Sequence, residues 1–166
     1  MGKIIFKEKQ HFNQWWLYLL FIVLFAYFGF LFFESFSLDL KNKYSLVISA
    51  VILILVFLFI LKVSLKTLIN EQGVYVSFWP LQIKYKHYSW EEIKKIEVIR
   101  YSPIKDFGGW GYRISLRGRG VAYNIRGNKG IKIFLENGKE VLIGTQKVNE
   151  AQETIIQYIK TSETNA

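Results

Sequence analysis

The sequence predicts two membrane-spanning helices followed by a mainly antiparallel β domain that a C-terminal helix closes. Three observations carry this expectation. Trp15–Phe33 and Tyr44–Leu61 run for nineteen and eighteen residues without a charge. From about Thr67 onward, short segments alternate apolar and polar residues between Gly, Pro and Asn punctuation. After Gly144 the period changes to that of an amphipathic helix.

Residues 1–14 read as a short basic, amphipathic lead-in carrying Lys3, Lys7 and Lys9. Helix one is expected over 15–33, a connector over 34–43 and helix two over 44–64. At 1.5 Å per residue each apolar run is about 27–29 Å long, which matches the hydrocarbon thickness of a bilayer. The runs contain thirteen and fourteen Leu, Ile, Val or Phe residues. Insertion of either one gains on the order of 4–8 kcal/mol. A cleaved signal peptide is the alternative for the first run. Its length exceeds that of a signal core, and Glu34-Ser35-Phe36-Ser37 offers no small-x-small cleavage site.

Orientation follows from the basic flanks. Lys3, Lys7 and Lys9 precede helix one, and Lys62 and Lys66 follow helix two. The connector balances Lys41 and Lys43 against Glu34 and Asp39. The positive-inside rule then predicts both termini in the cytoplasm and an external connector. Trp15, Trp16, Tyr18 and Tyr44 fit interfacial anchors. The chain has no cysteine, which excludes disulfides, thiolate metal sites and thiol catalysis.

Almost no linker separates helix two from the soluble part, so the sequence predicts a domain over 67–162 held at the membrane surface, with a frayed tail over 163–166. Seven strands are expected. They are Gly73–Phe78, Leu81–Tyr88, Ile93–Arg100, Tyr112–Arg117, Val121–Arg126, Ile131–Glu136 and Val141–Gly144. Glu136-Asn137-Gly138-Lys139 is the clearest hairpin, because Asn-Gly supplies the positive φ angles of a tight turn. Val148, Ala151, Ile155, Ile156 and Ile159 then form a helical stripe.

Seven short antiparallel strands and a terminal helix resemble the outline of a pleckstrin-homology (PH) fold. Tyr101-Ser102-Pro103-Ile104-Lys105, Gly108-Gly109-Trp110-Gly111, Gly127-Asn128-Lys129-Gly130 and Leu142-Ile143-Gly144-Thr145-Gln146-Lys147 are similar to segments of small bacterial membrane proteins that pair two N-terminal helices with a PH-like domain. The resemblance implies architecture and brings no catalytic residue to this chain. Basic residues in the first hairpin of eukaryotic PH domains bind phosphoinositides. The matching segment here, Phe78-Trp79-Pro80-Leu81, has no basic cluster, so that activity is not implied.

The remaining residues favour binding over catalysis. Neither apolar run carries Asp, Glu, Lys or Arg, and the helices offer Tyr18, Tyr27, Ser49 and little else, which argues against a transport path. Ala26, Gly29, Ser49 and Ala50 are expected to let the two helices pack closely. No nucleophile elbow, phosphate loop or metal-ligand spacing occurs, so no cofactor is expected. His87, with Asp106 or Glu92 as a partner, is the best of a poor set of catalytic candidates.

The net charge is +9 overall; from Thr67 onward fifteen Lys and Arg face ten Asp and Glu, a net of +5. Arg113, Arg117, Arg119, Arg126, Lys129 and Lys132 form the candidate contact set for anionic lipid head groups or a protein partner. Their bland reading is solvated strand faces that blunt sheet edges. Trp110, set among three glycines, either packs over the end of the sheet or lines a groove. Nucleic acid is not expected, since no nucleic-acid motif accompanies the charge.

The expectation is a non-enzymatic, membrane-anchored binding or scaffolding module. The alternatives are an accessory subunit of a larger transporter or envelope complex that acts through its helices, and a small-ligand sensor.

Overall fold

The computed structural model describes residues 4–34, 40–114 and 120–164. The chain divides into two compact units. One is Phe12–Val63; the other joins Met1–His11 to Ser64–Ala166.

The first unit holds α1 (Trp15–Glu34) and α2 (Leu40–Lys62). Both are long and apolar enough to cross a membrane, with mean hydropathies of 2.4 and 3.0 over Trp15–Glu34 and Lys43–Lys62. They are apolar on every side, and only Leu17 and Phe21 are buried on α1. A helix greasy all round requires an apolar surround, which no other part of this unit supplies. The second helix starts four residues earlier than expected, so the connector shortens from 34–43 to residues 35–39, which lie outside the described set.

The helices meet through aromatic rings, and Gly29, one of the small residues expected to allow close approach, takes no part. Phe57 sits 4.6 Å from Phe21, 5.9 Å from Phe25 and 6.5 Å from Tyr18, centroid to centroid. A β-carbon added to Gly29 would touch nothing, so this glycine marks no close approach. Ser49 turns its hydroxyl back to the Ser45 carbonyl at 2.8 Å, which satisfies it within the helix.

The second unit is a two-sheet domain, and its first strand corrects the reading of residues 1–14. Ile4–His11 is not a free lead-in but a strand, β1. It pairs antiparallel with β2 (Ser64–Asn70), the segment expected to be a mere joint, from Ile4↔Asn70 to His11↔Ser64. The strands β3 (Gly73–Trp79) and β4 (Gln82–Ser89) complete a sheet ordered β1-β2-β3-β4.

Along β1, Phe6, Glu8 and Gln10 are buried while Ile5, Lys7 and Lys9 are exposed. This is strict two-residue alternation with polar groups on the inner side. Glu8, only 5% exposed, accepts the Thr145 hydroxyl at 2.6 Å and the Gln146 backbone N–H at 2.8 Å. Gln10 donates from Nε2 to the Gly144 carbonyl at 2.7 Å. These bonds tie the first sheet to the second.

The second sheet contains β5 (Ile93–Arg100), β6 (Gly111–Ile114), β7 (Gly120–Asn124), β8 (Lys129–Leu135) and β9 (Glu140–Gly144). Its order is β5-β8-β9-β7-β6. The β7–β9 pair is parallel, so this sheet is not an uninterrupted antiparallel meander. At that join a β-carbon on Gly120 would lie 1.9 Å from the Glu140 carbonyl oxygen, so glycine is required. Nine strands are thus present among the described residues, seven near the expected positions plus β1 and β2.

A five-residue helix, α3 (Pro103–Phe107), was not expected. The C-terminal helix α4 spans Val148–Thr164, longer than the tail reading allowed. It buries Ala151, Thr154 and Ile155, while Ile156 is exposed. Tyr158 stacks on Trp90 with ring centroids 3.8 Å apart.

Leu65, Ile69, Val74 and Val76 fill the interior from the first sheet, and Tyr123, Ile131, Ile133 and Ile143 from the second. The interior also holds tyrosines. The Tyr123 hydroxyl donates to Gln82 Oε1 at 2.9 Å, and Tyr88 lies against it. These contacts explain why β4 turns Gln82 and Tyr88 inward and leaves Ile83, Tyr85 and His87 exposed.

Burial raises the pKa of Tyr88 and of Tyr123; the Tyr123 and Tyr112 hydroxyls add to the effect at Tyr88. Burial raises Tyr101 too, with the Asn124 amide partly offsetting it.

Three outcomes follow. Glu8→Ala removes the acceptor of the Thr145 O–H and of the Gln146 N–H, and is expected to cost about 2–4 kcal/mol in denaturant unfolding. Deleting residues 1–11 is expected to unfold the domain, whereas a free lead-in would be dispensable. A folded tyrosine with a raised pKa stabilises the native state fully below its unfolded value near pH 10 and loses that contribution as pH rises through the folded value. The protein is therefore expected to lose stability above about pH 10, with tyrosinate absorbance from the buried tyrosines appearing only with unfolding.

Candidate functional site

One turn of the second sheet gathers most of the described basic and aromatic candidates. It begins with α3. Ser102 caps that helix by accepting the Lys105 N–H, Asp106 accepts the Ser102 N–H at 2.8 Å, and Pro103 occupies the first helical position. Gly108 then takes φ +70°, which ends the helix. Gly109 and Gly111 follow with φ of +125° and +122°. Only glycine adopts these angles readily, and they turn Trp110 back across the domain.

Trp110 donates from Nε1 to the Gly127 carbonyl at 3.1 Å. Gln146 holds the same turn from the other side, donating to the Arg126 carbonyl at 2.9 Å. Gly111 N–H donates to Asn124 Oδ1 at 2.8 Å. The β7–β8 turn is therefore clamped between Trp110 and Gln146, whose own backbone N–H is bound by Glu8.

Around this clamp lie the cations. Arg113 is exposed and its guanidinium lies over Gly109 and Gly111, 3.6 and 3.9 Å from where their β-carbons would sit. Arg126 is half-buried in the turn, and Lys129 is exposed just after it. Lys129 faces Arg100 directly across β5 and β8. Arg100 belongs to this surface and was missed from sequence; only strand register reveals it. Arg117 and Arg119 lie outside the described residues.

Lys132 does not join the group. It pairs with Glu140 at 3.1 Å and sits 4.5 Å over the Phe134 ring. Arg100 and Lys129 are exposed like charges set opposite one another, an arrangement that costs a sheet some stability. Arginine in particular holds carboxylate or phosphate oxygens with paired N–H donors.

A cavity of about 370 Å³ lies between α3 and the outer face of the second sheet. Ile99, Tyr101, Val121 and Leu142 are among its apolar lining, and Lys105, Asp106, Lys132 and Glu140 supply its charges. Trp110 is not among its lining residues, so the expected Trp110 groove is not this cavity. Trp110 instead forms the packing clamp.

The catalytic candidates are structurally engaged. His87 stacks on Tyr75 at 4.2 Å, and its Nε2 is 3.1 Å from the Gln72 carbonyl. Asp106 caps α3 and Glu92 caps the turn at Ser89. Among the described residues no group of three or more His, Asp or Glu is arranged to hold a metal ion. No family model, curated protein or solved structure matches the chain.

Trp110→Phe keeps the ring packing but removes the bond to Gly127. The loss is expected to cost about 1 kcal/mol and to speed amide exchange at residues 127–129 relative to the β8 core.

Proposed function

We propose that this protein is a two-pass inner-membrane protein whose PH-like domain is a non-enzymatic binding or scaffolding module. Its basic surface contacts anionic lipid head groups and poses the domain for a protein partner. Both termini lie in the cytoplasm in this reading.

The observation that carries the reading is the pairing of β1 with β2. These strands flank the hydrophobic hairpin in sequence and belong to one sheet. This pairing supports placing the chain that enters α1 and the chain that leaves α2 on one side of a bilayer, with an even number of crossings between them. The excess of Lys at these flanks selects the cytoplasmic side. A four-stranded antiparallel sheet with a C-terminal helix against the domain supports the PH-like comparison, whereas the parallel β7–β9 join departs from it. Arg100, Arg113 and Lys129 supply the exposed cations. Each contributes about 1 kcal/mol at an anionic surface.

Because His11 and Ser64 are cross-strand partners, a short turn can replace residues 12–63 and yield a soluble domain. That domain is expected to sediment with phosphatidylglycerol vesicles and not with phosphatidylcholine ones. Reversing Arg100, Arg113 and Lys129 to Glu is expected to weaken binding by roughly 100-fold. Unchanged binding by the triple variant would remove the lipid contact from the proposal.

A further inference from the structure

The apolar turn between β3 and β4 has no role in the reading above. It is Trp79-Pro80-Leu81; Leu81 is 69% exposed, and Ile83, just beyond it in β4, is 68% exposed. Side chains of this kind at the tip of a soluble domain are costly in water, and two together call for a partner.

Strand register says where the turn lies. His11 pairs with Ser64, and Ser64 pairs with Trp79, so the three residues form one row across the sheet. Two members of that row are where the chain passes to the hydrophobic helices. Only Val63 separates Ser64 from Lys62, a reach of at most about 7 Å. Three residues separate His11 from Trp15, at most about 14 Å. Trp79 is one ladder spacing, about 5 Å, from Ser64. Covalent reach thus ties the Trp79 row to the ends of both helices.

The next outward-facing row carries charge. Lys9 lies directly opposite Lys66, and Lys66 opposite Ser77; Lys7 follows on the exposed face of β1. No carboxylate pairs with Lys9 or Lys66 among the described residues. Like charges set opposite each other destabilise a sheet unless something anionic meets them. Tyr75, Tyr85 and His87 extend the same outer face. Cations beside Trp and aliphatic side chains, all at the tethered end of a sheet, form the pattern of a segment seated in the headgroup layer.

We infer that the β3–β4 turn is a third membrane contact: Trp79, Leu81 and Ile83 enter the interfacial layer of the bilayer and Lys9 and Lys66 meet its anionic head groups. This rests on the membrane-spanning reading of α1 and α2. It adds the first sheet to the basic turn at Trp110 as a surface that sets the domain's pose.

The cysteine-free chain makes the test direct. Leu81→Cys, Glu71→Cys and Ile52→Cys are each labelled with an environment-sensitive fluorophore in the full chain, reconstituted in phosphatidylcholine–phosphatidylglycerol vesicles. Glu71 lies at the opposite end of the same strands, and Ile52 is mid-way along α2. Nitroxide lipids that quench at shallow depth are expected to reduce the Leu81 signal by at least about twofold, with the Glu71 signal unchanged. Deep nitroxides are expected to quench Ile52. A Leu81 label as exposed to water as the Glu71 label, with Ile52 quenched, overturns the turn contact alone. An unquenched Ile52 label overturns the membrane-spanning reading and the turn contact with it. Lys9→Gln with Lys66→Gln is expected to remove the dependence of Leu81 quenching on phosphatidylglycerol; full dependence in that variant overturns the lysine contribution.

Discussion

The pairing of β1 with β2 is the constraint on which the rest of this structure depends. Two strands that share seven rungs of a ladder are separated in sequence by the entire hydrophobic hairpin. The hairpin is therefore an insertion into a β domain and not a leader in front of one. The closing rung, His11 with Ser64, sits where the chain leaves and re-enters the sheet. Bringing together ends more than fifty residues apart carries a loop-closure cost that grows only with the logarithm of length, so a stable hairpin between them is tolerated.

Buried polar groups, beside Phe6 and the backbone ladder, hold that insertion shut. Glu8 and Gln10 face inward from β1 and bind Thr145, Gln146 and Gly144 at the far end of β9. Gln146 passes the connection on to the β7–β8 turn, and Trp110 grips the same turn from the other side. One hydrogen-bonded chain thus runs from the N-terminal strand to the basic surface. A buried carboxylate with both oxygens satisfied is demanding of geometry, so it specifies this arrangement more sharply than another Leu would.

That choice also explains what the sequence conceals. The helices are legible because nineteen and eighteen uncharged residues have no other stable solution in water. Most of the seven expected strands are legible because their inward residues are mostly Val, Ile, Tyr and Phe at a period of two, and because Asn137-Gly138 marks its turn; β4 shows the period but carries Ile83, Tyr85 and His87 outward. The first strand hides because its inward positions are Phe, Glu and Gln while its outward ones include two Lys; period-two hydrophobicity is absent although period-two burial is present. Strand β2 hides because Ser64–Asn70 follows the second apolar run with only Val63 between. The parallel join of β7 with β9 depends on a close approach at Gly120, which no local pattern announces. The Ser102–Asp106 cap was a readable signal for α3, obscured by the helix's five-residue length. Among the contact residues, Trp110, Arg126 and Lys129 do gather at one turn, whereas Lys132 is drawn away by Glu140.

The most direct test of the inserted-hairpin account is the sidedness of single cysteines to a membrane-impermeant maleimide in intact cells. The account predicts that Lys7→Cys in β1 and Lys139→Cys in the β8–β9 turn react only after permeabilisation, while a cysteine at position 37 reacts beforehand. Reaction of the Lys7 and Lys139 positions from opposite faces of the membrane would contradict it.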